Sequence, residues 1–342
     1  MLEGAGRVAV RDVPEPRVEE PGDAVVRVSS AAICGSDLHF LHGRAPLEPG
    51  GVMGHECVGR VEAVGANVRS FRKGDRVVAS FQIACGRCWF CARGQTQLCE
   101  TSATLGAGAF GGGLSGAQAE RVRIPSADVN LLAVPSAVPD DRAIFVGDVL
   151  ATGLYAAALA SPEAAATIAV IGGGPLGYAC VLGLRALGVR RILVLEPDER
   201  RRSLASAAGA QAIDVGARNA QMAVAEATED RGADAVIEAV GATDAFDESL
   251  EIVRRGGTVV VAGVYAGDVT ELQLGVAWMR ALRLTFTGIC PVHAWWRRAM
   301  EEVESARLDP SPIISHRLPL EEAAIGYALF DERTATKVLL QP

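Results

Sequence analysis

The first hundred and fifty residues carry short apolar runs punctuated by glycine, among them AVVRVSSAAI (24–33), CVGRVEAVG (57–65) and DRVVASF (75–81). Runs of this length, rich in β-branched residues and bounded by turn formers, predict strands. Their density predicts a compact barrel-like or sandwich-like β domain with few helices. From about residue 165 the pattern changes. TIAVIGGG (167–174) reads as a short buried strand, and PLGYACVLGLRALG (175–188) has helical periodicity closed by glycine. The series continues through RILVLEP (191–197), a helix around 199–208, AIDV (212–215), a helix around 219–230 and ADAVIEAVG (233–241). A helix near 244–254, GTVVVAGV (257–264) and LRLTFTGI (282–289) complete it. Strands alternating with helices of this length predict parallel βαβ units and an α/β, doubly wound parallel sheet. The last fifty residues return to a mixed texture ending in ATKVLLQP, which can pack back on the first domain. The predicted division is therefore 1–150 with 290–342 as one domain and 151–289 as the other. TLGAGAFGGGLSG (104–116) is glycine-dense and is expected to be a mobile loop.

Length and composition narrow the class. At 342 residues the chain is too long for one small core, and its 49% hydrophobic content is enough for two. No eighteen-residue apolar run is present and the N-terminus lacks a signal-type apolar stretch, so a soluble cytoplasmic protein without a membrane partner is expected. The net charge of −8 is spread along the chain. Its densest basic cluster, Arg200 to Arg202, is too short for a nucleic-acid footprint and reads as a solvated helix face.

Gly172, Gly174 and Gly177 form G-x-G-x-x-G between a predicted strand and a predicted helix, with Pro175 and Leu176 inside the motif. The first glycine permits a tight turn, the second lets backbone approach a pyrophosphate, and the third allows close helix–sheet packing. The helix N-terminus offers free N–H groups and partial positive charge to that pyrophosphate. Glu196 ends the next strand, placed to accept hydrogen bonds from a ribose 2′-hydroxyl and to repel a 2′-phosphate, which favours NAD over NADP. Arg200 and Arg201 keep NADP open, since either could reach a 2′-phosphate if the loop turned inward.

Eight cysteines are present, and Cys85, Cys88, Cys91 and Cys99 fall in the spacing C-x2-C-x2-C-x7-C. Four thiolates in one loop can meet at a tetrahedral zinc ion. An iron–sulfur cluster is the rival, but the fourth spacing and the absence of a following proline argue against it. Such a site has no open coordination position and is structural. A second set surrounds Cys34 in C-G-S-D-L-H (34–39) and His55 in G-H-E (54–56), with Ser36, Asp37, His39 and Glu56 beside them. A thiolate and an imidazole brought together by adjacent strands, with a position left for water or substrate, are the parts of a catalytic zinc site. Cys57, Cys180 and Cys290 sit in apolar company and read as buried packing residues, while His42, His293 and His316 lack a motif.

Residues 54–68 read G-H-E-x2-G-x5-G-x2-V, which resembles the zinc signature of the medium-chain dehydrogenase/reductase superfamily. The four-cysteine spacing, Cys34 with its Ser-Asp-x-His, and the dinucleotide motif follow in the order of that family over nearly the whole chain. The resemblance implies a GroES-like β-rich catalytic domain interrupted by a Rossmann domain, with the active site in the cleft between them. It makes Cys34 and His55 ligands of a catalytic zinc. Asp148 in GDVLATGLYAA (147–157) resembles the third ligand of the aspartate-using members, with a cap on the helix that follows as the lesser alternative. Glu56 resembles the ligand-adjacent glutamate and Asp37 the carboxylate that orients the zinc histidine. Ser36 resembles the start of a proton relay and His39 its distal end. Phe81 resembles a pocket-lining aromatic, with plain β-domain core as its alternative, and Lys337 resembles a basic residue on the cofactor phosphate.

The expected protein is an NAD-dependent zinc alcohol dehydrogenase with two zinc ions per chain, acting on a small alcohol or carbonyl compound. FQIACGRCWFCARGQTQLC and GGGLSGAQAE are similar to the formaldehyde-dehydrogenase-like branch, so aldehyde dehydrogenation or dismutation on the same site is the alternative chemistry. A non-catalytic NAD-binding sensor or scaffold is the alternative outside enzymes. LRLTFTGI (282–289) resembles the edge strand through which relatives dimerise, and a homodimer or homotetramer is expected.

Overall fold

A computed structural model of the chain describes residues 1–160, 163, 165–266 and 271–342, with the backbone alone at Phe110. It resolves into two compact units, Met1–Ala151 with Pro291–Pro342, and Thr152–Cys290.

The first unit is built on a seven-stranded sheet. Its order is His316–Pro319, Val338–Gln341, Ala24–Ile33, Glu56–Val64, Arg76–Ala79 and Leu131–Ala133, with Arg121–Ile124 pairing the first half of Ala24–Ile33. Alternating side chains of these strands, Val26, Val28, Val61, Val77 and Ile124 among them, fill one core. Ile33, Phe40, Met53, Tyr327, Phe330 and Val338 form a second core under the C-terminal helix Ala323–Asp331. The long strand Ala24–Ile33 lies between two antiparallel partners, with Ile33 opposite Val338 and Ala32 opposite Glu56. That register gathers Cys34, His55 with Glu56, and Lys337 at one end of the sheet.

The two ends of the glycine-dense stretch 104–116, expected to be a mobile loop, pack on the segment leading to His55. A Cβ on Gly106 would lie 2.6 Å from the Gly54 carbonyl oxygen, and one on Gly116 would lie 2.1 Å from that of Met53. The N–H groups of Gly116, Ala117 and Gln118 donate to the carbonyls of Val52, Gly54 and Met53 at 3.0, 2.8 and 3.0 Å. These glycines remove side chains so that two backbones can touch.

The second unit is a six-stranded, all-parallel sheet ordered Gln211–Ile213, Arg191–Leu195, Thr167–Ile171, Ala233–Glu238, Val253–Val261 and Arg283–Phe286. Ile168 and Val170 enter one core and Ala169 and Ile171 the other, so the central strand is buried on both faces, as a helix-covered parallel sheet requires. The strand expected from Gly257 begins earlier, at Val253, and shortens the expected helix to Thr243–Ile252. Val253 pairs with Ala233 across an irregularity, and Gly256 turns the chain with φ of 67° before regular pairing resumes at Thr258. Periodicity could not separate that bulged start from a continuing helix. Among the described residues, no single helix is long and apolar enough to cross a membrane.

Gly116→Ala forces the two touching backbones apart and should destabilise the protein by about 1–3 kcal/mol. Gly275→Ala, where a Cβ meets nothing within 4 Å, should stay within about 0.5 kcal/mol. Paired urea melts of the two variants check this.

Candidate functional site

Cys34, His55, Glu56 and Asp148 each offer a ligand atom, and these atoms all lie within 4.8 Å of one another. Cys34 follows one strand and His55 precedes its partner, so the sheet register itself brings sulfur and imidazole together. Asp148 arrives at the end of the buried turn Ile144–Gly147. Gly147 permits that approach, because a Cβ there would stand 2.1 Å from the Ala79 carbonyl oxygen.

The His55 ring is held on both sides. Its Nδ1 faces Asp37 Oδ1 at 3.2 Å, while Nε2 lies 3.3 Å from Asp148 Oδ2 and 3.3 Å from Ser36 Oγ. Asp37 is 1% exposed; its Oδ2 accepts from the Cys34 N–H at 3.0 Å and from Gln118 Nε2 at 3.2 Å. Phe81 meets the imidazole edge-on at 6.1 Å between ring centres. His39 follows Ser36 and Asp37 on the short helix Asp37–Leu41 and is half-buried.

Sequence reasoning missed the fate of Lys337. Expected on a cofactor phosphate, it is completely buried, and its Nζ lies 2.5 Å from Glu56 Oε1. The other oxygen, Glu56 Oε2, is buried without a hydrogen-bond partner. The resulting field is strained. Burial pushes Glu56 up while Lys337 pulls the other way, and burial disfavours charge on Lys337 while Glu56, Cys34 and Asp148 raise it. Burial likewise opposes charge on His55, but Asp37, Cys34 and Asp148 outweigh it and hold the imidazole well above its ordinary value. Buried acids this close demand positive charge. Sulfur, imidazole nitrogen and carboxylate oxygen, together with the orphaned Glu56 oxygen, fit a zinc ion in both chemistry and charge.

Cys85, Cys88, Cys91 and Cys99 also place their sulfurs within 4.8 Å of one another. Desolvation resists ionisation of Cys85, but the N–H groups of Arg87 and Cys88 draw the thiol down to about 6. Desolvation and the neighbouring Cys88 and Cys99 push Cys91 up to about 12. Four sulfurs this close cannot all ionise without a cation, which again fits zinc. The loop is braced by His293, which burial pushes down to about 4 and so keeps neutral. Its Nδ1 lies 2.9 Å from Thr96 Oγ1 and its Nε2 2.9 Å from Asn130 Oδ1. Asn130 Oδ1 also accepts from the Ala84 N–H, next to Cys85, so the Nε2 of His293 carries the proton.

In the second unit, Gly172 turns with φ of 91°, and a Cβ on Gly177 would fall 1.8 Å from the Gly172 carbonyl oxygen. Gly174 caps the helix Pro175–Ala186 with Pro175 in its first turn, while Leu176 packs against the core. Glu196 is 4% exposed, with Oε2 accepting from the Gly173 N–H at 2.7 Å and Oε1 from the Asp198 N–H at 2.9 Å. Arg201 stands 4.0 Å from the same carboxylate. Glu238 was not anticipated, although it ends the buried run ADAVIE much as Glu196 directly follows RILVL. Its Oε1 accepts from the N–H groups of Val240 and Gly241 at 2.6 and 2.8 Å, and the Tyr265 hydroxyl lies 3.1 Å from Oε2.

Lys337→Met strands a buried carboxylate and should cost about 3–5 kcal/mol. Adding Glu56→Gln should restore most of the loss, because no uncompensated charge remains. Denaturant melts of the single and double variants test this.

Residues 20–136 match the alcohol dehydrogenase GroES-like domain family and residues 175–305 the zinc-binding dehydrogenase family. Zinc-type alcohol dehydrogenase B of Aspergillus flavus is 34% identical over 98% of this chain and 79% of its own length. The alcohol dehydrogenase TADH of Thermus sp. ATN1 superposes with a TM-score of 0.93 at 42% identity, covering 99% of this chain and 98% of that one. A zinc-binding dehydrogenase of Sinorhizobium meliloti 1021 bound to NADP superposes with a TM-score of 0.86 at 31% identity, covering 99% and 97%. With its two family domains in this order and full-length relatives of this kind, the chain belongs to the zinc-type alcohol dehydrogenases of the medium-chain dehydrogenase/reductase superfamily.

Proposed function

We propose that the protein is a zinc-dependent dehydrogenase that moves a hydride between an alcohol and NAD, giving an aldehyde or ketone. The observation that carries this reading is the convergence of Cys34, His55 and Asp148 around one point. With Cys34, His55 and Asp148 as its ligands, and Glu56 drawn to Lys337, zinc would keep one position free for substrate. When bound, zinc polarises the substrate oxygen as a Lewis acid and NAD accepts the hydride.

The chain's own residues supply the rest. Asp37 holds the Nδ1 side of His55, leaving Nε2 for the metal. The Ser36 hydroxyl, beside Nε2, takes the proton from the substrate hydroxyl, and His39 passes it toward solvent. Phe81 lines the substrate pocket. Cys85, Cys88, Cys91 and Cys99 hold a second, structural zinc. Gly172, Gly174, Pro175, Leu176 and Gly177 cradle the pyrophosphate. Glu196 favours NAD by taking the ribose 2′-hydroxyl; the nearby Arg201 and the NADP-bound relative speak for the phosphorylated cofactor. No disulfide joins any of the eight cysteines, which suits the reducing cytoplasm.

Metal analysis of the purified protein should find two zinc ions per chain, with one lost in Asp148→Ala together with alcohol oxidation. A screen of alcohols and aldehydes with NAD and NADP separately should give turnover with NAD. Equal yields of alcohol and acid from an aldehyde without added NAD would mark dismutation instead.

A homodimer or homotetramer is part of the same reading. Arg283–Phe286 is the last strand of the parallel sheet, and Leu274, Trp278, Met279 and Phe286 near it are 71, 80, 80 and 65% exposed. An edge strand flanked by exposed apolar side chains calls for a partner. Sedimentation should show an oligomer, and Trp278→Glu with Phe286→Lys should yield monomer.

A further inference from the structure

We propose that Gln118 and Tyr327 are positioning residues for the catalytic metal site, acting through Asp37 on His55. The inference rests on the reading of Cys34, His55 and Asp148 as zinc ligands.

Asp37 can steer His55 only if its own carboxylate is held in one rotation. The donors on Oδ2 set that rotation: the Cys34 N–H at 3.0 Å and Gln118 Nε2 at 3.2 Å. With Oδ2 occupied, Oδ1 is left facing the imidazole. Gln118 cannot swing away, because the same Nε2 also donates to the Ala32 carbonyl at 3.1 Å, and Oε1 accepts from the Tyr327 hydroxyl at 2.7 Å. Two carbonyl-type acceptors on one end and a hydroxyl donor on the other leave the amide a single orientation. Gln118 is 8% and Tyr327 2% exposed, so water does not compete for these bonds.

A second observation ties Gln118 to the histidine's own backbone. Gly54, the residue before His55, has φ of 92°, and a Cβ there would come within 2.3 Å of Gln118 Cγ. The Gln118 side chain therefore fills the space left by that missing Cβ. One residue thus fixes both the carboxylate that orients the ring and the turn that delivers it. Tyr327, on the helix Ala323–Asp331, locks that residue from behind.

The test uses the purified holoprotein and two variants, Gln118→Met and Tyr327→Phe. Chelator competition resolves the two zinc ions, and cobalt substitution reports ligand geometry at the catalytic position by its visible bands. The catalytic zinc should bind about 10-fold more weakly in both variants, with shifted cobalt bands. The four-cysteine zinc should bind as in wild type, even where loss of the buried hydrogen bonds lowers the melting temperature. Tyr327→Phe removes a single oxygen and keeps the test decisive if Gln118→Met does not fold. Unchanged binding of the catalytic zinc, or equal loosening of both ions, overturns the proposal. A wild-type protein carrying only the four-cysteine zinc overturns the reading beneath it.

Discussion

The antiparallel pairing of Ala24–Ile33 with strands on both sides governs the chemistry of the first unit. Ile33 sits opposite Val338 and Ala32 opposite Glu56. Because strand side chains alternate between faces, a slip of one residue in either pairing would send Glu56 or its neighbours to the wrong side of the sheet. Cys34, His55, Glu56 and Lys337 are brought together by backbone hydrogen bonds rather than by flexible loops. Glycines at positions 106, 116 and 147 then let neighbouring backbones approach closely, and Gly54 makes room for the Gln118 side chain, to complete the cluster.

Charge is concentrated where solvent is not. Asp37, Glu56 and Lys337 are 1, 0 and 0% exposed, and His55 is 5% exposed. A fold does not tolerate such groups singly. Each is therefore tied to another: Lys337 to Glu56, Asp37 to His55 and to Gln118. The four-cysteine loop follows the same rule at the surface, where backbone N–H groups favour one thiolate while the crowding of sulfurs disfavours another. Both clusters make sense as cages whose last component is a cation.

What could be read from the sequence was what is local. The strand at 24–33, the glycine motif with its flanking strand and helix, and the cysteine spacing are each contained in a short window, and the folded chain reproduces them as elements. The strand starting at Val253 escaped because a bulge and a left-handed glycine break its period. The packing of Gly106 and Gly116 on residues 52–54 was not legible, because composition cannot distinguish a loose glycine from one that yields to a neighbouring backbone. The partners of Lys337 and Tyr327 lie 281 and 209 residues away in the chain. No window of sequence contains those pairs, and only tertiary packing creates them.

The division of the first unit into Met1–Ala151 and Pro291–Pro342 has a consequence for biosynthesis. Strand Val338–Gln341, which brings Lys337 to Glu56, leaves the ribosome only after all of Thr152–Cys290 has been made. At ordinary elongation rates that interval is on the order of ten seconds. Throughout it Cys34, His55, Glu56 and Asp148 have been synthesised, while the strand and the buried ammonium that complete their surroundings have not. Lys337 therefore meets Glu56 only after the whole of the second unit has been synthesised, and the halves of this buried ion pair are necessarily joined late.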